Sequence, residues 1–239
     1  MEQEQVIQEA FTQMAPDYEE TVSQELRRFW GWDYQGFVDM LLKMTPIQEE
    51  DQILDVATGT AVIPIHILKN HGLPHNITGL DITYSMLTKA QQRLDSHHLQ
   101  SKVDLTCATA MSMPFAAASF SLILCGLATH HMDVPVLIAE MKRILKPGGR
   151  IAIADVGGAA VWRLPVINQL IRTAAFLYFL PREGIARARV EAGALSNVKT
   201  PDEWHHILSD SGFIEIYIRK LQSKYAWIPD PLIIRATIN

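Results

Sequence analysis

The chain has 239 residues, of which 48% are hydrophobic and 20% charged, and its formal net charge is −5. These values predict an ordinary soluble globular protein, and the acidic balance excludes the basic surface that nucleic-acid binding requires. The acidic first eight residues do not form a signal peptide, which favours a cytoplasmic location. The two cysteines, Cys107 and Cys125, are expected to be buried free thiols, and no residue spacing predicts a metal site.

The first 45 residues predict three helices, at 5–14, 18–29 and 33–44, separated and ended by proline and glycine. From residue 52 the pattern changes. Short apolar strands are predicted at 53–57, 76–81, 103–107, 119–125 and 150–155, with helices at 62–70, 85–96 and 134–145 and a turn at 146–149. Apolar strands that alternate with amphipathic helices indicate a parallel sheet covered on both faces.

A mostly helical insertion is predicted after Asp155, up to about residue 199. Its segment 164–180 is strongly apolar but shorter than the ~20 residues that a bilayer span needs. A buried or lid helix is the favoured interpretation, and contact with a membrane surface is the alternative. Residues 200–203 then begin a helix with capping-box chemistry. The segments 213–221 and 225–238 are too close together for a crossover helix, which predicts an antiparallel hairpin.

The predicted fold is therefore one α/β domain, with a Rossmann-like, doubly wound, mostly parallel sheet and a C-terminal antiparallel hairpin. Residues 1–45 are expected to form a helical N-terminal lid, and residues 46–156 the ligand-binding core. Residues 157–200 would form a second helical lid. Residues 201–239 would supply the last helix and the hairpin.

The segment 53–61, ILDVATGTA, carries the main chemical signal. Small residues after a first strand let the backbone approach a ligand, and the following helix directs its free N–H groups to the same place. Asp81 ends the second strand, where an acid can accept hydrogen bonds from ribose hydroxyls. The turn lacks the G-x-G-x-x-G spacing of pyrophosphate sites, and Asp55 would repel phosphate but attract a cation. An adenosine-containing cation without phosphate, such as S-adenosylmethionine, satisfies these requirements better than NAD.

Six segments carry a resemblance to a known family: FTQMAPDY (11–18), LDVATGTA (54–61), GLDITYSML (79–87), ATAMSMPF (108–115), SFSLILCGLATHHM (119–132) and RILKPGGRIAIAD (143–155). Together they resemble the motifs of class I methyltransferases, most closely the small-molecule enzymes of the ubiquinone/menaquinone-biosynthesis type. The resemblance spans nearly the whole chain and implies S-adenosylmethionine as cofactor.

The resemblance also implies roles for individual residues. Asp55 and the turn after it would hold the amino-acid end of the cofactor, and Asp81 would bind the ribose. Tyr18 would close over the cofactor from the N-terminal lid. The full set of implied cofactor-binding residues is Tyr18, Asp55, Ala57, Thr58, Gly59, Asp81, Ile82, Met86, Thr109, Ala110, Met111, Cys125, Gly126 and Leu127.

Two residues depart from the family pattern. Ala61 replaces a glycine and adds a methyl group where the backbone and a helix pack closely. Thr109 replaces an aspartate that accepts a hydrogen bond from the adenine amino group, and a neutral acceptor gives a weaker hydrogen bond than a charged one. Cofactor affinity and turnover are the properties that these departures would change.

Three histidine pairs invite catalytic interpretations. The pairs at 97–98 and 205–206 lie away from strand ends, which predicts surface or capping positions. His130 and His131 follow the fourth strand, at the rim where open α/β sheets bind ligands. They are candidates for the catalytic base, with a packing role as the alternative. Asp155, at the next strand end, could bind substrate or stabilise the loop.

The predicted function is methyl transfer from S-adenosylmethionine to a carbon or oxygen of a small, partly apolar acceptor. The apolar insertion and the aromatic residues between 29 and 37 could line the acceptor pocket, although the aromatic residues could equally serve to dock the helices. Two rival functions remain open at this stage: a rearrangement that uses the sulfonium charge without methyl transfer, and a non-catalytic cofactor-binding partner. The sequence leaves the oligomeric state open.

Overall fold

A seven-stranded sheet forms the centre of the computed structural model, which describes residues 2–73, 76–225 and 228–239. The strand order is β3-β2-β1-β4-β5-β7-β6. The first five strands are parallel, and β7 is antiparallel to both β5 and β6. The strands are β1 (Ile53–Val56), β2 (Ile77–Asp81), β3 (Val103–Cys107), β4 (Phe120–Gly126), β5 (Leu145–Asp155), β6 (Phe213–Lys220) and β7 (Leu232–Ile238).

Helices cover both faces of this sheet because its central strands are apolar on both sides. β1 is buried along its whole length, and β4 is buried at all but one residue. One face packs against the sixth and eighth helices, and the other against the second to fourth. The helices are α1 (Glu2–Met14), α2 (Tyr18–Phe29), α3 (Tyr34–Lys43), α4 (Val62–Asn70), α5 (Tyr84–Ser96), α6 (Val134–Ile144), α7 (Pro165–Ala194) and α8 (Pro201–Asp210).

The predicted parallel core and antiparallel C-terminal pair are confirmed, and the structure adds the order of the pair. β7 lies between β5 and β6, so β6, which precedes β7 in the sequence, is the edge strand of the sheet. The predicted turn at 146–149 lies inside β5. Leu145 pairs with Phe120 and Arg150 with Leu122, so the four intervening residues form an irregularity in the strand.

The insertion after β5 consists of a 3-10 helix, Ala160–Arg163, followed by α7. Gly184 interrupts α7 with φ 82° and ψ 177°, a backbone conformation that side-chain-bearing residues rarely adopt. The helix therefore has two arms, 165–183 and 185–194. Within the described residues, no helix is long and apolar enough to cross a membrane.

The expectation of two buried thiols is half wrong. Cys125 is buried in the middle of the sheet, whereas Cys107 is exposed, and both are free. Cys107 ends β3, which is an edge strand of the sheet. Because an edge strand has a neighbouring strand on one side only, the side chain of Cys107 at its end is less covered than that of Cys125 in a central strand.

Candidate active site

The turn between β1 and α4 has an unusual backbone. Ala57, Gly59 and Ala61 all adopt left-handed conformations, with φ of 55°, 54° and 60°. Glycine tolerates this conformation, but for alanine it costs roughly 1–2 kcal/mol. Ala61 was expected to matter only through the volume of its methyl group, and the structure adds a conformational cost. The alternating left-handed residues direct the chain sharply from the end of β1 into the first turn of α4.

Two buried carboxylates flank this turn. The Oδ2 atom of Asp55 accepts a hydrogen bond from the Thr58 hydroxyl at 2.7 Å. The Oδ2 atom of Asp81 accepts from the backbone N–H of Gly59 at 2.9 Å, and its Oδ1 atom accepts from Thr83 N–H at 2.8 Å. Asp81 therefore links the turn after β1 to the loop that begins α5. A carboxylate has more acceptor positions than these two bonds use, so a ligand can bind as well.

The electrostatics of this pair favour a cationic ligand. Burial raises the pKa of Asp55 to about 7, and burial also raises the pKa of Asp81. In the described part of the chain, neither carboxylate forms an ion pair, and the buried Oδ1 atom of Asp55 accepts no hydrogen bond. An uncompensated buried carboxylate is unfavourable, and a nearby positive charge would relieve it. The residues present therefore fit the ammonium and sulfonium groups of S-adenosylmethionine.

Two adjoining cavities, of about 650 and 60 Å³, form a cleft at the carboxyl ends of the parallel strands. Eleven of the fourteen predicted cofactor-binding residues line it: Tyr18, Ala57, Gly59, Asp81, Ile82, Met86, Thr109, Ala110, Met111, Gly126 and Leu127. The other three, Asp55, Thr58 and Cys125, are buried next to the cleft without lining it. The Cys125 side chain belongs to the apolar core, and burial raises its pKa well above the usual range.

The N-terminal helices cover this cleft. The Tyr18 ring lies 3.7 Å from the position that a Cβ atom on Gly59 would occupy, and burial raises the pKa of Tyr18 to about 12. Gln8 donates from its Nε2 atom to the backbone carbonyl of Ile82 at 3.0 Å. Phe11 lines the smaller cavity. The arrangement corresponds to a lid that contacts the turn after β1 and the loop after β2.

Glu4 is a cleft residue that the sequence did not predict. The Thr109 hydroxyl donates a hydrogen bond to the Glu4 Oε1 atom at 2.8 Å, and it accepts one from Met111 N–H at 3.2 Å. Glu4 lines the larger cavity beside these residues. Thr109 stands where the family pattern has an aspartate, and Glu4 of α1 places a carboxylate next to this position. The only available signal was an acid in the N-terminal helix, which gives no indication of this long-range contact.

The two adjacent histidines face different cavities. A 3-10 turn, Thr129–His131, follows β4, and successive residues of such a turn point about 120° apart. His131 lines the cofactor cleft, where its ring packs edge-on against Phe11 with centroids 5.3 Å apart. His130 lines a separate cavity of about 430 Å³. The two rings contact each other, with centroids 4.1 Å apart.

Asp155 holds His130 in place. Its Oδ1 atom lies 2.6 Å from His130 Nδ1, and its Oδ2 atom accepts from His130 N–H at 3.1 Å and from the Thr129 hydroxyl. Burial opposes protonation of His130, but the charge and hydrogen bond of Asp155 outweigh burial and raise its pKa. Burial lowers the pKa of His131 well below its usual value, and the neighbouring His130 and Arg187 lower it further.

The cavity beside His130 is mainly apolar and lies between α2, α7 and the loop after β5. Its lining includes Phe29, Trp30, Val156, Trp162, Ile171, Ala175, Tyr178, Phe179 and Glu191. The predicted aromatic group therefore divides. Phe29 and Trp30 face this cavity, Tyr34 and Phe37 are buried in the helical core, and Trp32 is half-buried outside both.

Comparison with known proteins supports the predicted methyltransferase function. A family profile described as a methyltransferase domain matches residues 54–153. A demethylmenaquinone methyltransferase of Symbiobacterium thermophilum is 25% identical over 229 residues, covering 90% of this chain and 87% of that protein. Another, from Lactobacillus johnsonii, is 28% identical over 154 residues, or 64% of this chain and 61% of that protein. A solved S-adenosylmethionine-dependent methyltransferase from Aquifex aeolicus has a TM-score of 0.64 at 16% identity and covers 94% of this chain and 98% of its own.

The chain is a class I S-adenosylmethionine-dependent methyltransferase. It is similar to methyltransferases of the ubiquinone/menaquinone type, and it acts on small molecules with S-adenosylmethionine as its cofactor. The resemblance predicted from the six motifs is confirmed. These findings favour methyl transfer over a rearrangement without transfer and over a non-catalytic partner role.

The methyltransferase also contains a buried ionic group that the sequence did not predict. Arg187 of α7 lies 2.9 Å from Glu191, 3.3 Å from Glu183 and 3.7 Å from Glu25 of α2. Burial raises the pKa of Glu25 to about 9, which leaves it protonated at neutral pH, and Glu183 and Glu191 contribute to the increase. The group connects the N-terminal helices to the insertion, beside both cavities.

The Glu191 carboxylate also lies near the histidines, 3.6 Å from His131 Nε2. Ligand atoms of His130, His131 and Glu191 lie within 4.8 Å of one another, as a metal site would require. Glu191 is already ion-paired with Arg187, and His130 Nδ1 is bonded to Asp155. These contacts favour an ionic network over a metal centre. The histidine pairs at 97–98 and 205–206 are exposed, as predicted.

Proposed function

We propose that this enzyme methylates a carbon or oxygen of an aromatic hydroxyl compound that carries an apolar substituent, such as a prenylated hydroquinone. The observation that carries the proposal is the His130–Asp155 pair at the wall of an apolar cavity of about 430 Å³. The names of the related demethylmenaquinone methyltransferases agree with this acceptor class.

His130 would be the general base. With Nδ1 held by Asp155, its Nε2 atom is the available proton acceptor. A phenolic hydroxyl has a pKa of about 10 and is mostly un-ionised at neutral pH, so its activation needs a base. The raised pKa of His130 makes it a stronger base than His131, whose pKa is lowered. Asp155 would act as a positioning residue, as the corresponding acids do in His–Asp pairs.

The other residues would bind and align the reactants. S-adenosylmethionine supplies an activated methyl group on a cationic sulfur. Asp55, Asp81 and the turn 57–61 would hold it, with Tyr18 and Glu4 over it and His131 beside it. The aromatic walls of the apolar cavity would hold the acceptor ring and exclude water. Alignment of this kind accounts for on the order of 7–11 kcal/mol of barrier lowering in favourable cases.

A radiolabelled-methyl assay tests the proposal. A reduced 2-prenyl-1,4-naphthoquinone with a short side chain serves as the acceptor, and catechol serves as a polar comparison. We expect methylation of the prenylated compound and at least about 100-fold slower turnover by His130→Gln, as for loss of a general base. His206→Gln, an exposed histidine on α8, is the matched control and should retain full activity. Equal turnover by His130→Gln, or preference for catechol, would contradict the proposal.

A further inference from the structure

The cofactor cleft crosses the ends of three neighbouring strands, which sets the direction of a ligand bound in it. β1, β2 and β3 lie side by side in the sheet. Asp55 and the turn after β1 would hold the amino-acid end of S-adenosylmethionine, and Asp81 at the end of β2 would hold its ribose. The base then continues in the same direction, to the residues after β3. Ala108 N–H donates to the Asp81 carbonyl at 3.1 Å, so these residues lie directly beside the ribose position.

Recognition of adenine requires a hydrogen-bond acceptor, because the exocyclic amino group is the donor that distinguishes this base. In the described part of the chain, three carboxylates line the larger cavity: Glu4, Asp81 and Asp133. Asp81 is assigned to the ribose. Asp133 follows β4, and its side chain caps α6 by accepting from Val136 N–H at 3.3 Å. Glu4 is the carboxylate next to the residues after β3, where the base would lie.

The residues after β3 hold the Glu4 carboxylate in position. The Thr109 hydroxyl donates to Glu4 Oε1 at 2.8 Å, and its oxygen accepts from Met111 N–H at 3.2 Å. The hydroxyl hydrogen is therefore directed at Glu4, and the stronger acceptor at this point of the cleft is the carboxylate. Because a carboxylate offers about four acceptor positions, Glu4 can accept from the adenine amino group in addition to Thr109.

Further contacts along α1 determine which face of this helix points into the cleft. The residues of α1 that line the cleft have the three- and four-residue spacing of one helix face: Glu4, Ile7 and Phe11. Gln8 donates to the Ile82 carbonyl at 3.0 Å, and the Ser85 hydroxyl donates to the Thr12 hydroxyl at 3.2 Å. These two bonds tie α1 to the loop after β2 and to the start of α5, so the orientation of the helix does not depend on Thr109 alone.

We propose that Glu4 accepts a hydrogen bond from the adenine amino group of S-adenosylmethionine and makes this enzyme specific for adenine. The inference rests on the placement of the cofactor in the proposed function, but not on the methyl acceptor or on His130. A base that carries a carbonyl oxygen instead of the amino group would present an acceptor to the Glu4 carboxylate, and two acceptors form no hydrogen bond. The alternative is that Glu4 only fastens the N-terminal lid, through Thr109, without contacting the base.

Calorimetric titration with two ligands separates these possibilities without any methyl acceptor. The ligands are S-adenosylhomocysteine and S-inosylhomocysteine, in which a carbonyl oxygen replaces the amino group of the base. Glu4→Gln keeps the length of the side chain and removes the carboxylate. Asp133→Asn changes another carboxylate of the same cavity and retains a capping oxygen. Glu9→Gln, at an exposed position of α1, is the matched control.

We expect the unmodified chain to bind S-adenosylhomocysteine at least about tenfold more tightly than S-inosylhomocysteine, as one hydrogen bond to a charged group would provide. Glu4→Gln should bind S-adenosylhomocysteine about tenfold more weakly. Its affinity for S-inosylhomocysteine should stay the same or rise, because an amide can donate to the carbonyl oxygen. Asp133→Asn and Glu9→Gln should keep the original preference for adenine, and circular dichroism would establish that all three variants are folded.

Three outcomes would overturn the inference. Equal affinity of the unmodified chain for both ligands would show that the amino group is not recognised. Equal weakening of both ligands by Glu4→Gln would show that Glu4 only fastens the lid. Loss of the adenine preference in Asp133→Asn would place the acceptor on α6. If Glu4→Gln alone loses the preference and no prenylated hydroquinone is methylated, the inference stands and the proposed function fails.

Discussion

Replacing Asp81 by alanine removes a carboxylate that accepts two backbone hydrogen bonds. Its two oxygens accept hydrogen bonds from Gly59 N–H at 2.9 Å and Thr83 N–H at 2.8 Å, and the site is buried. Hydrogen bonds to a charged group contribute about 1.5–3 kcal/mol each, and water entering from the cleft would restore part of the loss. We expect the free energy of unfolding to fall by about 3 kcal/mol, which lowers the thermal midpoint by roughly 6–12 °C.

The same substitution should weaken cofactor binding. The turn that contains Gly59 loses its link to the loop after β2, and the ribose loses its proposed acceptor. A loss of about 2–3 kcal/mol corresponds to a roughly 30- to 150-fold higher dissociation constant. The two hydrogen bonds of Asp81 fix the turn after β1 and the loop before α5, and they leave acceptor capacity for the ribose.

Calorimetric titration with S-adenosylhomocysteine, together with thermal unfolding, measures both effects on one variant. Asp33→Ala is the matched control. Asp33 caps α3 by accepting from Gly36 N–H at 2.8 Å, outside the cofactor cleft. This control should lose about 1 kcal/mol of stability and retain its affinity. A destabilised Asp81→Ala protein with unchanged affinity would refute the assignment of Asp81 to the ribose. An unchanged thermal midpoint would refute the stability reasoning.

Four further outcomes are expected. Affinity for S-adenosylhomocysteine should rise between pH 6 and 8, because burial raises the pKa of Asp55 to about 7 and its ionised form attracts the ligand ammonium; titration of Asp55→Asn should give a flatter profile. Glu25 is protonated when folded and ionised when unfolded between its ordinary pKa and about 9, so stability should fall as pH rises from 7.5 to 9. Thermal midpoints of Glu25→Gln should show less of this fall. The rate of methyl transfer should rise with pH through the raised pKa of His130, and steady-state kinetics showing a flat profile would count against its role as base. Incubation with a chelator followed by the same assay should leave activity unchanged, since Arg187 already pairs with Glu191.

The order and type of the elements could be predicted because periodicity and turn residues are local signals. α4 and β3 have the predicted bounds, and the capping box at Thr200 and Glu203 forms as expected. The position of β7 between β5 and β6 could not be predicted in this way, since pairing order depends on contacts across the whole sheet. Even so, the antiparallel direction followed from the short connection alone.

The site was predictable where its residues lie in motifs, and less so where distant segments meet. Glu4 and Thr109 are 105 positions apart, and no local pattern connects them. The group around Arg187 joins α2 to α7 for the same reason. The left-handed conformation of Ala61 was missed because alanine in a sequence usually indicates a right-handed helix. Packing overrode that preference in the turn.

The two adjacent histidines lie between the cofactor cleft and the apolar cavity, which are lined largely by different segments of the chain. The cofactor side is built by the parallel strands and α1, whereas much of the wall of the acceptor side comes from the insertion. Among the described residues, the short turn of the histidines contributes to both sides, and so does the end of the insertion, through Asn197 and Lys199 on the cofactor side and Val198 on the acceptor side. Exchange of the first arm of α7, residues 165–183, for another helical segment would therefore change which acceptor enters, because this arm lines the apolar cavity and not the cofactor cleft. In evolutionary terms, such a division makes new acceptor specificities accessible through replacement of one contiguous piece of the chain.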